Sequence, residues 1–397
     1  MSKLQQFFNK GADEPNKDKY IACLLYGAIG DTIGFRNGIW ETLNFTKTKK
    51  MSREKILEEA NATDTIICEF VDLGGITGIN LKGWKISDDT ILHIANARGL
   101  SAKYKDMKRL YVNIMNEYMA AYTSEFEKIR NPGIHTLHSF EKIKKGEDWE
   151  YFPYDSNAGG SGGSMRSMCI GLAFHRAEDI DKLIEVAFIS TRITHNNGIA
   201  CLGSVVSALF TSFGIRDIPP LEWATRLIKL LDGDKVDKCI VKNVRKDDVE
   251  KYKYDKDTFT NKWKMYIEDN FDKNKFTITR SQRLFSAARL RNLFEKYSEN
   301  KDIFFPGSGG DDSVIIAYDA LLIAEMSWEK LVYKAMLHAG DNDTVGSIAA
   351  AWFGAYYGRK IVDGQISYII PGNLWIHLEK QDEICELGEQ LYDKYYK

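Results

Sequence analysis

The sequence predicts an all-α fold. Its 397 residues include only seven prolines, and few stretches alternate apolar with polar residues as half-buried strands do. Apolar residues instead recur three and four positions apart. In His338–Gly358, Val345, Ile348, Ala349, Trp352, Phe353 and Tyr356 fall on one helical stripe, while Gly346, Ala350 and Ala351 keep the helix slim.

Composition narrows the function classes. The formal net charge is −2 with 44% apolar residues, so there is a large core to bury and no global electrostatic case for nucleic acid or an anionic membrane. Six cysteines lie far apart, mostly in apolar surroundings, which predicts reduced, buried thiols rather than a disulfide frame. Met1–Asp18 is polar and charged, unlike a signal peptide, and the longest apolar run, Cys201–Phe213, is shorter than the roughly 20 residues a spanning helix needs. The expectation is a soluble, cytoplasmic, monomeric protein with a polar tail over residues 1–18.

Taken in order, Tyr20–Gly34 reads as a first helix ending in Gly30-Asp31-X-X-Gly34, followed by a loop, Phe35–Glu41. Asp31 could cap or pair, and Glu41 could be an ordinary loop carboxylate. Lys47–Asp72 is charged, with a short helix expected over Arg53–Ala60. Ser87-Asp88-Asp89-Thr90 opens an apolar helix through Ile91, Ile94, Ala95 and Leu100. Lys105–Ile129 reads as a long amphipathic helix, and Asn131–Asp148 as a loop-rich connection with His135 and His138 exposed or in turns. Asn157–Arg166, NAGGSGGSMR, is a glycine-rich loop with a helix starting near Ser164.

Ile184–Gly214 gives two helices around Thr194-His195-Asn196-Asn197, where His195 could be an acid–base group or a hydrogen-bonded turn residue. Asp232–Lys275 alternates in charge, as a solvated helical face does, and Ser281–Tyr297 reads as a basic amphipathic helix. Pro306–Asp312, PGSGGDD, is a second glycine-rich loop, leading into an apolar helix over Ser313–Glu325. Last comes the acidic turn Asp341-Asn342-Asp343-Thr344 at the start of the helix already described.

The two acidic turns carry chemistry. One helix cap needs one oxygen, whereas each turn offers several. Adjacent carboxylates repel unless a cation neutralises them. Brought together, the turns would present only hard oxygen ligands, with no Cys-X-X-Cys or His-X-X-X-His nearby, a set suited to Mg²⁺ or Mn²⁺ rather than zinc. Four carboxylates could hold two cations with an activated water between them. The glycine loops lack a Walker pattern, yet two such loops feeding buried helices suggest a cleft for a polyphosphate-bearing ligand.

The ordered motifs Gly-Asp-Thr-Ile-Gly, Asn-Gly-Ile-Trp-Glu, Ser-Asp-Asp-Thr, Gly-Gly-X-Gly-X-X-Met-Arg, Thr-His, the second glycine loop with Ile-Ala-Tyr-Asp-Ala, and Gly-Asp-Asn-Asp-Thr resemble the ADP-ribosylglycohydrolase family, and within it the ADP-ribosylarginine hydrolase branch. The resemblance runs from about Tyr20 to near the C-terminus. It implies a compact single-domain orthogonal helical bundle over residues 19–397 with a binuclear Mg²⁺ or Mn²⁺ cleft. It assigns Ser87, Asp88 and Asp89, opposite Asp341, Asp343 and Thr344, as metal ligands, and Asp88, Asp89 and Glu41 as catalytic. Asn157, Gly159, Gly160, Gly162, Gly163, Ser164 and Met165, with His195, would line the diphosphate and ribose, and Ser308, Gly309 and Gly310 the adenosine end.

The implied reaction is hydrolysis of ADP-ribose from arginine on mono-ADP-ribosylated proteins, with ADP-ribose as product. The alternatives are an O-linked substrate (serine or O-acetyl-ADP-ribose) and a non-catalytic ADP-ribose-binding relative. The chain departs from the arginine branch at Ile39, where a lysine is usual, at Asn196-Asn197 in place of histidines, and at Thr344 in place of serine.

Overall fold

The structure, a computed structural model, describes residues 17–41, 64–126, 128–271, 306–338, 340–358, 360–362, 365–367 and 370–396. The helices expected over Arg53–Ala60 and Ser281–Tyr297 lie outside these residues. Fourteen helices organise the described chain: α1 Lys17–Phe35, α2 Asp88–Ser101, α3 Met107–Ser124, α4 Ile134–Lys144, α5 Met168–Ala173, α6 Ile180–Arg192, α7 Gly198–Ile215, α8 Pro220–Leu231, α9 Lys235–Asn243, α10 Val249–Asn270, α11 Asp312–Ala324, α12 Trp328–Ala335, α13 Asn342–Tyr357 and α14 Gln381–Tyr395. Residues 64–72 are also helical, and short 3₁₀ turns link several elements. The fold is all-α apart from one small antiparallel hairpin, β1 Lys360–Val362 with β2 Gln365–Ser367.

The centre is a close antiparallel pair, α1 against α13. A methyl group added at Gly30 would collide with the backbone of Gly346, one at Gly34 with Asn342, and one at Gly354 with Ala22. Glycine is required at these contacts for proximity. Gly30-Asp31-X-X-Gly34 forms the last helical turns of α1, as expected, and it stays helical because tertiary packing outweighs the ~1 kcal/mol helix penalty of each glycine. Around this pair, α7 is buried over all of its 18 residues. Its Phe210 meets Trp352, Trp223, Trp263 and Tyr318 with ring centroids 5.1–5.6 Å apart, contacts worth about 0.5–1.5 kcal/mol each beyond area burial. α7 is also apolar enough to span a membrane by composition, but it is the core helix here.

One expectation changes and two gain exceptions. Asn131–Asp148 is not loop-rich: it holds α4, whose Thr136 and Phe140 are buried one turn apart. Phe140 packs on Tyr118, Tyr122 and Phe126, while the lysines that suggested a loop face outward. His135 and His138 consequently sit on a helix, His135 half-buried and His138 exposed. The charged segment from Asp232 is mostly a solvated face, yet Lys256 and Lys262 are buried in ion pairs with Asp237 and Asp311, each at 2.6 Å. The cysteines are all free; Cys68 is exposed and Cys385 half-buried, the other four buried.

One buried ion cluster fixes the entry to α2. Arg130 donates to both Glu379 oxygens (2.6 and 2.9 Å) and to the Ile86 carbonyl (2.7 Å), and Glu379 accepts from the Ile86 amide (3.1 Å) and from Lys85. Burial opposes ionisation of Glu379, but the hydrogen bonds from Arg130 and Lys85 win and hold its pKa at about 2.

Two measurements check this description. Gly30→Ala should lower stability by about 1–3 kcal/mol in urea unfolding, since backbone cannot yield as a side chain can. A depressed carboxyl contributes stability above its unfolded pKa and loses it as pH falls. Glu379 should therefore stabilise fully above about 4.5 and progressively less towards pH 2, and Glu379→Gln should flatten that part of the acid-unfolding profile.

Candidate active site

The α1–α13 contact decides where the charges meet. It sets the N-terminus of α13 beside the last turns of α1, and α2 completes the arrangement. Ser87 caps α2, accepting from the Asp89 amide at 3.1 Å. Asp341 caps α13, accepting from the Thr344 amide, and Asp343 accepts from the same amide at 3.0 Å. Between the two helix starts stands Asp31, projecting from α1. Its carboxylate accepts from the amides of Ser87 (3.0 Å) and Thr90 (3.2 Å), so it caps α2 from another helix.

Glu41 enters through the turn after α1. Arg36, Asn37 and Gly38 all take positive φ (46°, 57° and 81°), a conformation that costs non-glycine residues on the order of 1 kcal/mol each. The turn is held because Asn37 Oδ1 accepts the Lys85 amide (2.7 Å), and the Arg36 guanidinium lies over the Trp84 ring, 4.2 Å from its centroid. Trp40 then points inward, donating to Glu69 (2.8 Å), and its carbonyl accepts from Asn342 Nδ2 (2.7 Å). The Glu41 carbonyl accepts the Asn342 amide (3.2 Å), and both its carboxylate oxygens meet Asn131 Nδ2 at 2.8 Å.

Six carboxyl groups are thus drawn into one electrostatic cluster: Asp31, Glu41, Asp88, Asp89, Asp341 and Asp343. Ser87, Asp31, Asp88, Asp89, Asp343 and Thr344 are buried, Asp341 and Glu41 partly so. Burial is the main cause that raises every one of the six, and the charge of Asp343 is the next cause for Asp31, Glu41, Asp88, Asp89 and Asp341. Asp31 is pushed up to about 7 and Glu41 to about 9. Among the described residues, no three acidic, His or Cys side chains converge as a finished ligand shell; like charges hold one another apart. Asp89 Oδ2 is buried with no hydrogen-bond partner.

The glycine loops join this cluster and each other. The Gly310 amide donates to the Gly159 carbonyl and the Ser161 amide to the Ser308 carbonyl, both at 2.9 Å, which makes an antiparallel bridge across Gly160 and Gly309. Ser164 and Ser313 hydroxyls pair at 3.0 Å. Asp312 folds the second loop by accepting from Gly307 and Gly309, both at 2.8 Å. Those amides are therefore already committed within the loops. The Asp341 amide donates to the Pro306 carbonyl (2.8 Å), so the acidic turn and the loop pair form one continuous region.

His195 lies beneath the first loop. A methyl group at Gly162 would strike its ring, and one at Gly160 would lie 3.7 Å from its Nε2. Its Nδ1 pairs with the Thr194 hydroxyl at 2.7 Å, and burial, then the charge of Arg166, holds the imidazole neutral. Met165 is buried behind the loop, whereas Asn157 is exposed, its amide turned onto Asp155. Two members of this region escaped the sequence reading as site residues. Asp31 was signalled by the Gly-Asp-Thr-Ile-Gly motif on an apolar helix, and Asn131 by nothing local.

The matching family model is ADP-ribosylglycohydrolase, over residues 12–397. The ADP-ribosylhydrolase ARH1 of Dictyostelium discoideum is 36% identical over 366 residues, covering 86% of this chain and 88% of its own length. A provisionally named ADP-ribosyl glycohydrolase of Acanthamoeba polyphaga mimivirus is 35% identical over 366 residues, 89% of this chain and 68% of its own. A solved structure, titled ADP-ribosylglycohydrolase-related protein complex, shares the fold with a TM-score of 0.55 at 18% identity, covering 95% of this chain and 98% of its own. With the ordered motifs, the buried carboxylate cluster and the paired glycine loops, these likenesses establish that the chain belongs to the ADP-ribosylglycohydrolase family of hydrolases.

Proposed function

We propose that this chain releases ADP-ribose from arginine side chains of mono-ADP-ribosylated proteins, using two Mg²⁺ or Mn²⁺ ions. The observation that carries the reading is the cluster of six mutually destabilised carboxyl groups containing an unpartnered buried oxygen, Asp89 Oδ2. An all-oxygen donor set of high negative charge fits a hard divalent cation. Ser87, Asp88 and Asp89 on one side, and Asp341, Asp343 and Thr344 on the other, would hold the two ions. When bound, such ions orient ribose hydroxyls and lower the pKa of water.

The chain's own groups supply the rest. The paired glycine loops and His195 would seat the diphosphate and ribose, and Ser308–Gly310 the adenosine end. Asp88 or Asp89 would position the attacking water and take its proton as the anomeric carbon gains oxocarbenium character. Glu41, whose carboxyl is raised to about 9 by burial and by Asp343 in the metal-free chain, would be the group placed to give a proton to the leaving guanidine. Asn131 would hold that carboxyl in place. The arginine linkage is supported by the motif order of the arginine branch, and a cytoplasmic setting by the six free thiols.

The test is ADP-ribose release from arginine-modified and serine-modified protein with Mg²⁺, Mn²⁺ or EDTA. Metal-dependent release from the arginine substrate is expected. Asp88→Asn and Asp343→Asn should abolish it, and Glu41→Gln should slow it about 100-fold or more. Release from serine alone would transfer the activity to an O-linked bond; binding without release would leave only a receptor for ADP-ribose.

Asp343→Asn has a second expected effect. It removes the charge that bears on five neighbouring carboxyls, so in EDTA the variant should be more stable than the parent by on the order of 1 kcal/mol. The Mg²⁺-induced rise in Tm should vanish in the same variant. Lower stability in EDTA would show that Asp343 acts chiefly as a cap of α13.

A further inference from the structure

Three large apolar side chains stand in solvent around the outer end of the carboxylate cluster: Ile39 at 53% exposure, Ile129 at 47% and Ile134 at 63%. Isolated exposed isoleucines are ordinary. These three are placed together by the hydrogen bond between Glu41 and Asn131. Ile39 is two residues from Glu41, Ile129 two residues from Asn131, and Ile134 three residues beyond Asn131. At no more than about 3.6 Å per residue, the Cα of each lies within roughly 11 Å of the Cα of Glu41 or Asn131. The turn Arg36–Gly38 lies against the turn Lys128–Arg130, so the segments that carry Ile39 and Ile129 are neighbours.

Each isoleucine is turned outward because its neighbour is anchored inward. Trp40 is 1% exposed and donates to Glu69, which leaves Ile39 on the opposite side of the turn. Arg130 is 6% exposed and bonded to Glu379 and the Ile86 carbonyl, which leaves Ile129 outside. Thr136 and Phe140 face the core from α4, while Ile134 opens its first turn. The exposure is built into the fold.

Resting on the hydrolase reading above, we infer that these residues form an apolar rim that seats a hydrophobic side chain flanking the modified residue of the substrate polypeptide. The occupant follows from continuity with the site. With ADP-ribose on the glycine loops the linkage to be cut would lie at the carboxylates, and the half-buried Glu41 beside the exposed Asn131 marks an open side of that cluster through which the polypeptide would leave. That exit offers apolar surface. The rim thus selects modified residues with apolar neighbours, and it contributes nothing to a substrate that ends at the modified amino acid.

The experiment uses two fluorescein-labelled peptides carrying one ADP-ribosylated arginine, flanked by leucines in one and by serines in the other. Binding is measured by anisotropy, turnover by ADP-ribose release, and free ADP-ribosylarginine is the small-substrate control. The expected results are about tenfold tighter binding and tenfold higher kcat/KM for the leucine peptide. The triple variant Ile39→Ser, Ile129→Ser, Ile134→Ser should erase the difference and leave turnover of free ADP-ribosylarginine unchanged. Equal affinity for the two peptides, a preference that survives the triple variant, or binding of neither peptide would overturn the rim. So would concentration-dependent self-association abolished by the same variant, which would assign the surface to a second copy of the chain. A tenfold binding preference without any release would support the rim and sink the hydrolase reading.

Discussion

The site depends on how closely α1 and α13 approach. Gly30 and Gly34 on one helix and Gly346 and Gly354 on the other leave no space for a side chain at their contacts. This sets the two helices at one height along each other, since sliding by a residue would drive a β-carbon into backbone. The register places Asp343 next to Asp31, and it places the Asn342 amide and side chain where they bind the Glu41 and Trp40 carbonyls. A packing constraint in the core thus fixes which charges meet at the surface.

Bringing those charges together works against folding. Each carboxyl loses water and gains a negative neighbour. The fold offsets part of this with backbone. Asp31 accepts amides at the start of α2, Asp343 and Asp341 accept at the start of α13, and both helix dipoles present their positive ends to the cluster. These donors are too few for six carboxylates, and the unpartnered Asp89 Oδ2 marks the shortfall. A buried oxygen without a partner is retained where something outside the chain completes it, which is the physical ground for the divalent ions proposed above.

The sequence made the helix starts legible because caps are local. Ser87-Asp88-Asp89-Thr90 and Asp341-Asn342-Asp343-Thr344 stand within one turn of apolar stripes, and both stripes are helices beginning where the caps predict. The glycine loops were readable for the same reason. Their bridge was not, since Gly160 and Gly309 are far apart in the chain and no spacing reports a tertiary hydrogen bond. Asp31 could be read only as a cap or a pairing partner, and the helix that it caps, α2, has its N-cap Ser87 56 residues further along the chain. α4 was missed because its lysine-rich face dominates the composition, and only Thr136 and Phe140, four residues apart, reveal the buried side. What failed was what depends on partners distant in sequence.

Asn131 shows why that distinction matters for specificity. It lies outside every cluster of acidic or glycine residues, yet its side chain meets both oxygens of Glu41, and its neighbour Arg130 ties the same turn to the residue before Ser87. One short segment therefore couples Glu41 to the entry of α2, and it carries Ile129 and Ile134 on its outer side. In such an arrangement the outer surface can change without disturbing the carboxylates, because Arg130 is buried and Asn131 is tied to Glu41 while the isoleucines face out. Under the proposed function, the bond that is cut and the polypeptide that carries it would be recognised by opposite sides of the same few residues.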